Sequence, residues 1–262
     1  MQSVPLHHAV LGERGDWVFL LHGLFGSGDN LNTLAKTLVD EYRVVLVDLR
    51  NHGRSPRAAT LSLAEMAADI AQLQDRLGIA SSAVLGHSLG GKVAMQLALS
   101  DARRVQKLVV ADIAPVVYTA HHQNVFAALE SIDLATLQNR QQAEAQLAQT
   151  LSDPGLRQFL LKGLYRNEQS QYRWRFNLPV LRASYAAVLA APQGQPFGGP
   201  TLFIKGGQSN YILPEHEAAM RALFPNFQFR MIAGAGHWLH GEKPVAFNRL
   251  VQQFLLTAGS VN

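Results

Sequence analysis

Apolar residues along this chain follow two alternating patterns. Short runs at 17–21, 43–48, 82–85, 107–110, 201–204 and 228–232 are dominated by valine, leucine, isoleucine and phenylalanine, as in strands buried within a sheet. Between them, at 30–38, 63–77, 90–100, 214–223 and 245–256, apolar residues recur every three or four positions, the spacing of one helical face. Strand and helix in that rhythm predict an α/β architecture: a mostly parallel sheet flanked by helices, with right-handed crossovers.

The alternation stops between about 115 and 200. The chain there becomes a set of helical stretches, among them 134–151 with its run of Gln and Ala, and closes on a Pro- and Gly-rich connector at 191–200. Because the sheet pattern resumes on the far side, residues 1–114 and 200–262 are expected to form one core, and 115–199 an inserted helical cap. A length of 262 residues suits one large α/β domain of this kind.

Composition narrows the function classes. Hydrophobic residues make up 48% and charged residues 16%, the balance of a globular enzyme rather than a disordered chain. No segment reaches the run of about 20 apolar residues needed to span a membrane, and the first residues lack a secretory layout. The expectation is a cytoplasmic protein without a membrane span. With no cysteine, disulfides and thiol catalysis are excluded. A net charge of +4 without any Lys/Arg run argues against nucleic acid and is compatible with mild attraction of an anionic small substrate.

The chemistry is carried by Gly86-His87-Ser88-Leu89-Gly90-Gly91, between the run at 82–85 and the helix at 90–100. A serine that attacks carbonyls must stand out from a sharp strand-to-helix turn, and flanking glycines permit the close backbone approach this requires. Ser88 is therefore read as a nucleophile. In open parallel sheets the working groups gather at the carboxyl ends of strands. After the first strand come His22-Gly23-Leu24-Phe25-Gly26, where the amide of Leu24 can join that of Leu89 as an oxyanion hole. After the last strand comes Gly234-Ala235-Gly236-His237-Trp238, which places His237 as the base. His87 is read as framing the turn, His121 and His122 as solvated surface, and His240 as packed or exposed. None has metal-ligand spacing, so neither a metal nor another cofactor is expected. Asp48 and Arg50 are assigned to holding their own loop by charge-assisted hydrogen bonds.

The acid is less direct. Chains with this order of elements often carry it after the strand at 201–204, but here Ser209 stands in that place, and no Asp or Glu occurs from Gln169 to Pro214. Glu215 opens a helix, where a carboxylate usually answers the helix dipole. Asp112 ends the strand that follows the nucleophile helix, one strand over from Ser88, and is preferred over Glu215 or the absence of an acid. Ser209 can add a hydrogen bond to His237 or to Asp112, or be an ordinary loop residue.

Together these residues resemble the α/β-hydrolase fold, over nearly the whole chain. More narrowly, Leu21 to Ser27, Arg50-Asn51-His52-Gly53, Asp112-Ile113-Ala114-Pro115, Trp174-Arg175-Phe176-Asn177 and Ile232 to Trp238 are similar to the YbfF-type bacterial esterases. The resemblance implies a serine esterase with a helical cap that acts on short to medium acyl esters or acyl-CoA thioesters. It also implies an acid placed like Asp112 and a serine like Ser209 in the site. One departure is Asn210, where that group tends to carry proline. The resemblance makes Phe25, Trp174, Arg175 and Trp238 the substrate-binding candidates. Trp174 and Phe176 are then expected either along an acyl pocket, with Arg173 or Arg175 toward an anionic head group, or in the core of the cap with the arginines solvated. The expected partner is a small-molecule ester or thioester, and the expected assembly a monomer or homodimer. Alternatives on the same fold are a cofactor-free C–C hydrolase, lyase or perhydrolase, and a non-catalytic ligand-binding homologue.

Overall fold

A computed structural model describes residues 3–257 of the chain. In chain order the elements are β1 (His8–Leu11), β2 (Trp17–Leu21), α1 (Asn32–Leu38), β3 (Arg43–Val47), α2 (Leu63–Arg76), β4 (Ser82–His87), α3 (Leu89–Ser100) and β5 (Val105–Ala111). Then follow α4 (Gln123–Glu130), α5 (Arg140–Ala148), α6 (Pro154–Lys162), a hairpin of β6 (Leu164–Arg166) and β7 (Tyr172–Trp174), α7 (Leu178–Ala183) and α8 (Tyr185–Leu189). The chain returns through β8 (Thr201–Gly206), α9 (Glu217–Leu223), β9 (Phe227–Ile232), α10 (Leu239–Glu242) and α11 (Pro244–Leu256).

Seven strands form one sheet in the order β1-β3-β2-β4-β5-β8-β9. Only β1 runs antiparallel; every other pairing is parallel. The central strands are apolar throughout because both sheet faces are covered. In β2, Val18 and Leu20 join a cluster with Leu34 of α1 and Phe247, Val251 and Phe254 of α11. Phe19 and Leu21 point the other way, into a cluster with Met66 and Ile70 of α2 and Val93 and Leu97 of α3. Alternate residues of one strand thus serve two layers of helix.

Three expectations are corrected. The helix expected over 134–151 is only α5: Asn139 is extended and its side chain accepts the Gln142 N–H at 2.8 Å. Ahead of it Asp133 holds a turn through the Ala135 N–H, so local side-chain bonds replace helix despite favourable periodicity. The segment between β5 and β8 also contains a hairpin that helical spacing did not indicate. Strand β1 was missed as well, because an edge strand with its middle residues exposed lacks the apolar run of its buried neighbours.

The segment between β5 and β8 is tied to the sheet at several points. Asn177 donates its backbone N–H to the Asn51 carbonyl at 2.8 Å and its amide to Asn51 Oδ1 at 2.9 Å. On α3, Gln96 exchanges hydrogen bonds with the backbone of Gln193, and the buried Lys92 Nζ donates to the carbonyls of Leu189 and Ala190, both at 2.7 Å. Burial pushes the Lys92 ammonium down to about 7, while those carbonyls favour its charged form. Phe126, Leu160 and Trp174 belong to the same apolar cluster as Leu21 and Val93. The helical segment therefore packs continuously onto the sheet.

Candidate active site

Strand β4 ends at His87 and α3 begins at Leu89, leaving Ser88 alone in the turn with φ 53° and ψ −117°. A positive φ is costly for a residue with a Cβ, and the surroundings enforce it. A Cβ on Gly86 would lie 2.0 Å from the Gly90 carbonyl oxygen, and one on Gly90 would lie 2.3 Å from the Leu21 carbonyl oxygen. Helix and strand can cross this closely only because both positions are glycine.

Sheet register sets the next step. His87 pairs with Ala111 across β4 and β5, so Ser88 and Asp112 are the first residues beyond adjacent strand ends. The Ser88 N–H donates to the Ala111 carbonyl at 3.0 Å, and the Asp112 N–H to Ile204 at 2.8 Å. Asp112 is fully buried and also has a positive φ, 52°. Its Oδ1 accepts the Gly206 N–H at 2.9 Å, and its Oδ2 accepts both the Ser209 hydroxyl and the His237 Nδ1–H, the latter at 2.7 Å. On the other side of the ring, His237 Nε2 lies 3.0 Å from Ser88 Oγ. Hydroxyl, imidazole and carboxylate therefore form one continuous line, with the ring proton on Nδ1 and Nε2 open to accept from serine. Glu215 is exposed and outside this arrangement.

Several supports of His237 carried little sequence signal. Its carbonyl accepts the His87 Nε2–H at 2.8 Å. Burial holds His87 well below the usual imidazole range, so that ring is a neutral strut. The ring of Tyr211 stacks on His237 with centroids 3.8 Å apart and planes 15° from parallel. Glu242 closes the loop by accepting the Gly236 N–H at 2.7 Å and the Trp238 N–H at 3.2 Å. Tyr211 stands two residues beyond Ser209, so the loop without an acid in the sequence was the available clue.

Leu89 is the first residue of α3, and its N–H has no acceptor within that helix. The loop after β2 reaches the same place: a Cβ on Gly23 would lie 3.4 Å from Ser88 Cβ. His22 shapes that loop. Its Nε2 accepts the Leu49 N–H at 3.0 Å, which leaves the proton on Nδ1 to donate to the Gly23 carbonyl at 2.8 Å. Burial lowers its pKa and keeps it neutral. Asp48 lies beneath the turn, accepting the Gly28 and Arg54 N–H groups at 2.7 and 2.8 Å. Arg50 forks onto Asp69 at 2.6 and 2.8 Å.

Two clefts meet at Ser88, and Leu24 and His122 line both. The first holds ≈ 40 Å³ and is walled by Phe25, Val125, Leu156, Phe159, His237 and Trp238. The second holds ≈ 30 Å³ between Leu89, Ile113, Tyr118, Val188, Leu189 and Tyr211. Phe25 and Trp238 are thus brought to the site, Phe25 at φ 64° and edge-on to Phe126 and Phe176. Trp174 and Arg175 are not. Trp174 is 4% exposed and stacked on Phe176 within the apolar cluster. The Arg175 guanidinium covers the Tyr165 ring at 4.6 Å. Arg173 bonds to the Tyr172 carbonyl and Gln171. None of these lines either cleft, because the hairpin turns its indole inward and its cations away.

His122 corrects another expectation, since it faces the clefts instead of solvent. The Tyr185 hydroxyl accepts the His122 N–H at 3.1 Å and lies 2.6 Å from its Nδ1. Burial depresses the His122 pKa to about 3. His240 packs edge-on to His87 at 4.4 Å and is lowered to about 4. Among the described residues, no cluster of three or more His, Cys, Asp or Glu is arranged to hold a metal. Nor is any described helix long and apolar enough to cross a membrane.

Comparison with known proteins agrees with this geometry. A family described as alpha/beta hydrolase fold matches residues 16–244. The chain is 41% identical to Esterase YbfF of Escherichia coli K12, covering 91% of this chain and 92% of that protein. It is 40% identical to the sn-1-specific diacylglycerol lipase ABHD11 of Mus musculus, covering 97% and 86% respectively. Among solved structures, a marine microorganism esterase superposes with a TM-score of 0.94 at 37% identity, covering 96% of this chain and all of that one.

Proposed function

The chain belongs to the alpha/beta hydrolase family, and from that premise we infer that it is a serine ester hydrolase working through an acyl-enzyme on Ser88. The observation that carries this reading is the unbroken line from Ser88 Oγ through His237 to buried Asp112. The esterase and lipase names of its relatives support the same reaction class.

In the reaction, Ser88 Oγ bonds to the ester carbonyl carbon while its proton passes to His237 Nε2. Negative charge collects on the carbonyl oxygen, which the Leu24 and Leu89 amides receive. Collapse of this intermediate breaks the bond to the alcohol, and His237 returns the proton to the leaving oxygen. Water then loses a proton to His237, adds to the acyl carbon, and releases the carboxylic acid as Oγ regains its proton. Asp112 holds the ring tautomer and stabilises the imidazolium formed in each half. Ser209 and the Gly206 amide hold that carboxylate in its orientation toward His237.

The substrate is a short to medium acyl ester, or a thioester of the same acyl group, because the walls around Ser88 are largely apolar and the space is small. The helical segment 115–199 serves as the cap that supplies much of these walls. The test is rapid mixing with p-nitrophenyl butyrate. A burst of nitrophenol stoichiometric with enzyme is expected, and Ser88→Ala should abolish it. Undiminished turnover in Ser88→Ala would overturn the assignment.

A further inference from the structure

We propose that the two clefts meeting at Ser88 divide the substrate between them, the narrow one taking the acyl chain and the aromatic one the alcohol. The inference rests on the Ser88–His237 reading above and adds which half of the ester lies where. His237 must hand its proton to the leaving oxygen, so the alcohol has to sit in the cleft that His237 itself lines. That is the cleft walled by Phe159 and Trp238. The narrow cleft is lined by Ser88 and Leu89 but not by His237. Tyr211, also on its wall, lies flat against the imidazole at 3.8 Å and covers that face of the ring. An acyl chain extending from the carbonyl carbon, with its oxygen toward the Leu89 amide, has this space open to it.

The chemistry of the narrow cleft fixes the kind of chain. Three of its polar side chains are already engaged with protein atoms. Lys92 Nζ donates to the carbonyls of Val188, Leu189 and Ala190. The Tyr118 hydroxyl accepts the Ala114 N–H and donates to the Tyr211 carbonyl. The Tyr211 hydroxyl is 2.6 Å from His121 Nε2. What remains for a ligand is the neutral His122 ring and the carbon of Ile113, Val188, Leu189 and the tyrosine rings, so an uncharged acyl group fits and a carboxylated one gains nothing from Lys92. The volume of ≈ 30 Å³ admits about two to three water-sized groups. The limit therefore falls near a butyryl chain, while the cleft of ≈ 40 Å³ beside His237 sets the Phe159 and Trp238 rings against the alcohol.

Two ester series separate these roles: p-nitrophenyl esters from acetyl to decanoyl, and butyrates of alcohols from ethyl to benzyl followed by pH-stat. In wild type, kcat/KM should peak at or below butyryl and fall beyond it. Val188→Ala should raise the hexanoyl-to-butyryl ratio about tenfold, the scale of one or two methylenes in an apolar pocket, and leave the benzyl-to-ethyl ratio within twofold. Phe159→Ala should lower the benzyl-to-ethyl ratio and leave the acyl ratio in place. If Val188→Ala does not fold, Val188→Leu must lower butyryl relative to acetyl by a similar factor. Exchange of the two effects between variants, a wild-type optimum at octanoyl or longer, or preference for a hemisuccinate over a butyrate would overturn the division. None of these outcomes touches the nucleophile, whose failure shows only as turnover in Ser88→Ala.

Discussion

Replacing Asp112 by Asn tests the arrangement at its most buried point. The amide is nearly isosteric, and its oxygen can still accept the Gly206 N–H that Asp112 Oδ1 accepts at 2.9 Å. The change falls on the other atom. Oδ2 receives protons from both His237 Nδ1 and Ser209, whereas an NH₂ there can only donate, so His237 must accept on Nδ1 and carry its proton on Nε2. That N–H then points at Ser88 Oγ, and the base is lost in the ground state. The expected loss in kcat is about 10⁴, close to 5 kcal/mol in the barrier. Stability should change less. The three hydrogen bonds to a charged group become neutral ones, a loss of about 1 kcal/mol each, which lowers the melting temperature by about 6–12 °C in a chain of this size. Turnover of p-nitrophenyl butyrate and a thermal melt on the same preparations separate the two effects. Glu215→Gln, at an exposed position, should match wild type in both. An Asp112→Asn variant within tenfold of wild type, or equal losses in the two variants, would refute the assignment.

Three further outcomes follow from the packing. Burial holds His52 and His122 at about 3 and His240 at about 4. Unfolded, each binds a proton near pH 6.5, so the unfolded state gains protons that the fold refuses as pH falls below that value. Stability should drop by up to about 4 kcal/mol per pH unit between pH 6 and 5, read as falling urea midpoints; constant midpoints would contradict it. Gly90→Ala should give insoluble or inactive protein, since its Cβ would lie 2.3 Å from the Leu21 carbonyl oxygen; a soluble variant with wild-type kcat would show that the turn has slack. Trp174→Ala should cost about 3–5 kcal/mol in stability without changing acyl-chain preference, and a shifted preference would put the indole back on the substrate.

Legibility in the sequence followed burial. The central strands stood out because both faces of the sheet are covered, which leaves continuous apolar runs in β2, β3, β4 and β5. The edge strand β1, with Ala9 and Val10 exposed, has no such run and gives no strand signal. The site is legible through topology: if the working groups sit where parallel strands end, Ser88, Asp112 and His237 must share one edge, and register brings them together. Residues of the inserted segment have no such rule: a three-residue strand does not reveal which side of a hairpin faces a cleft, and packing directs Trp174 and Arg175 away from Ser88. His121 is exposed as its sequence context suggests, but His122 turns inward, and the cue to its position, Tyr185, lies more than sixty residues away.

Phe25, Ser88 and Asp112 are three of the non-glycine residues with positive φ, and they stand together around one reaction centre. Such conformations cost on the order of 1–3 kcal/mol each, so the surrounding sheet must impose them. For Ser88 and Asp112 it does so with the same device, a backbone N–H donated to the neighbouring strand at Ala111 and Ile204. For Phe25 the constraint is its ring, held edge-on between Phe126 and Phe176 of the inserted segment. Nucleophile and acid are thus positioned by the sheet, whereas the loop bearing the Leu24 amide is positioned partly by the cap. Cap movement that displaced Phe126 or Phe176 would loosen that loop and leave the Ser88–His237–Asp112 line in place. In the proposed oxyanion hole the Leu89 amide is thus held with Ser88 at the start of α3, and only the Leu24 amide depends in part on the inserted segment.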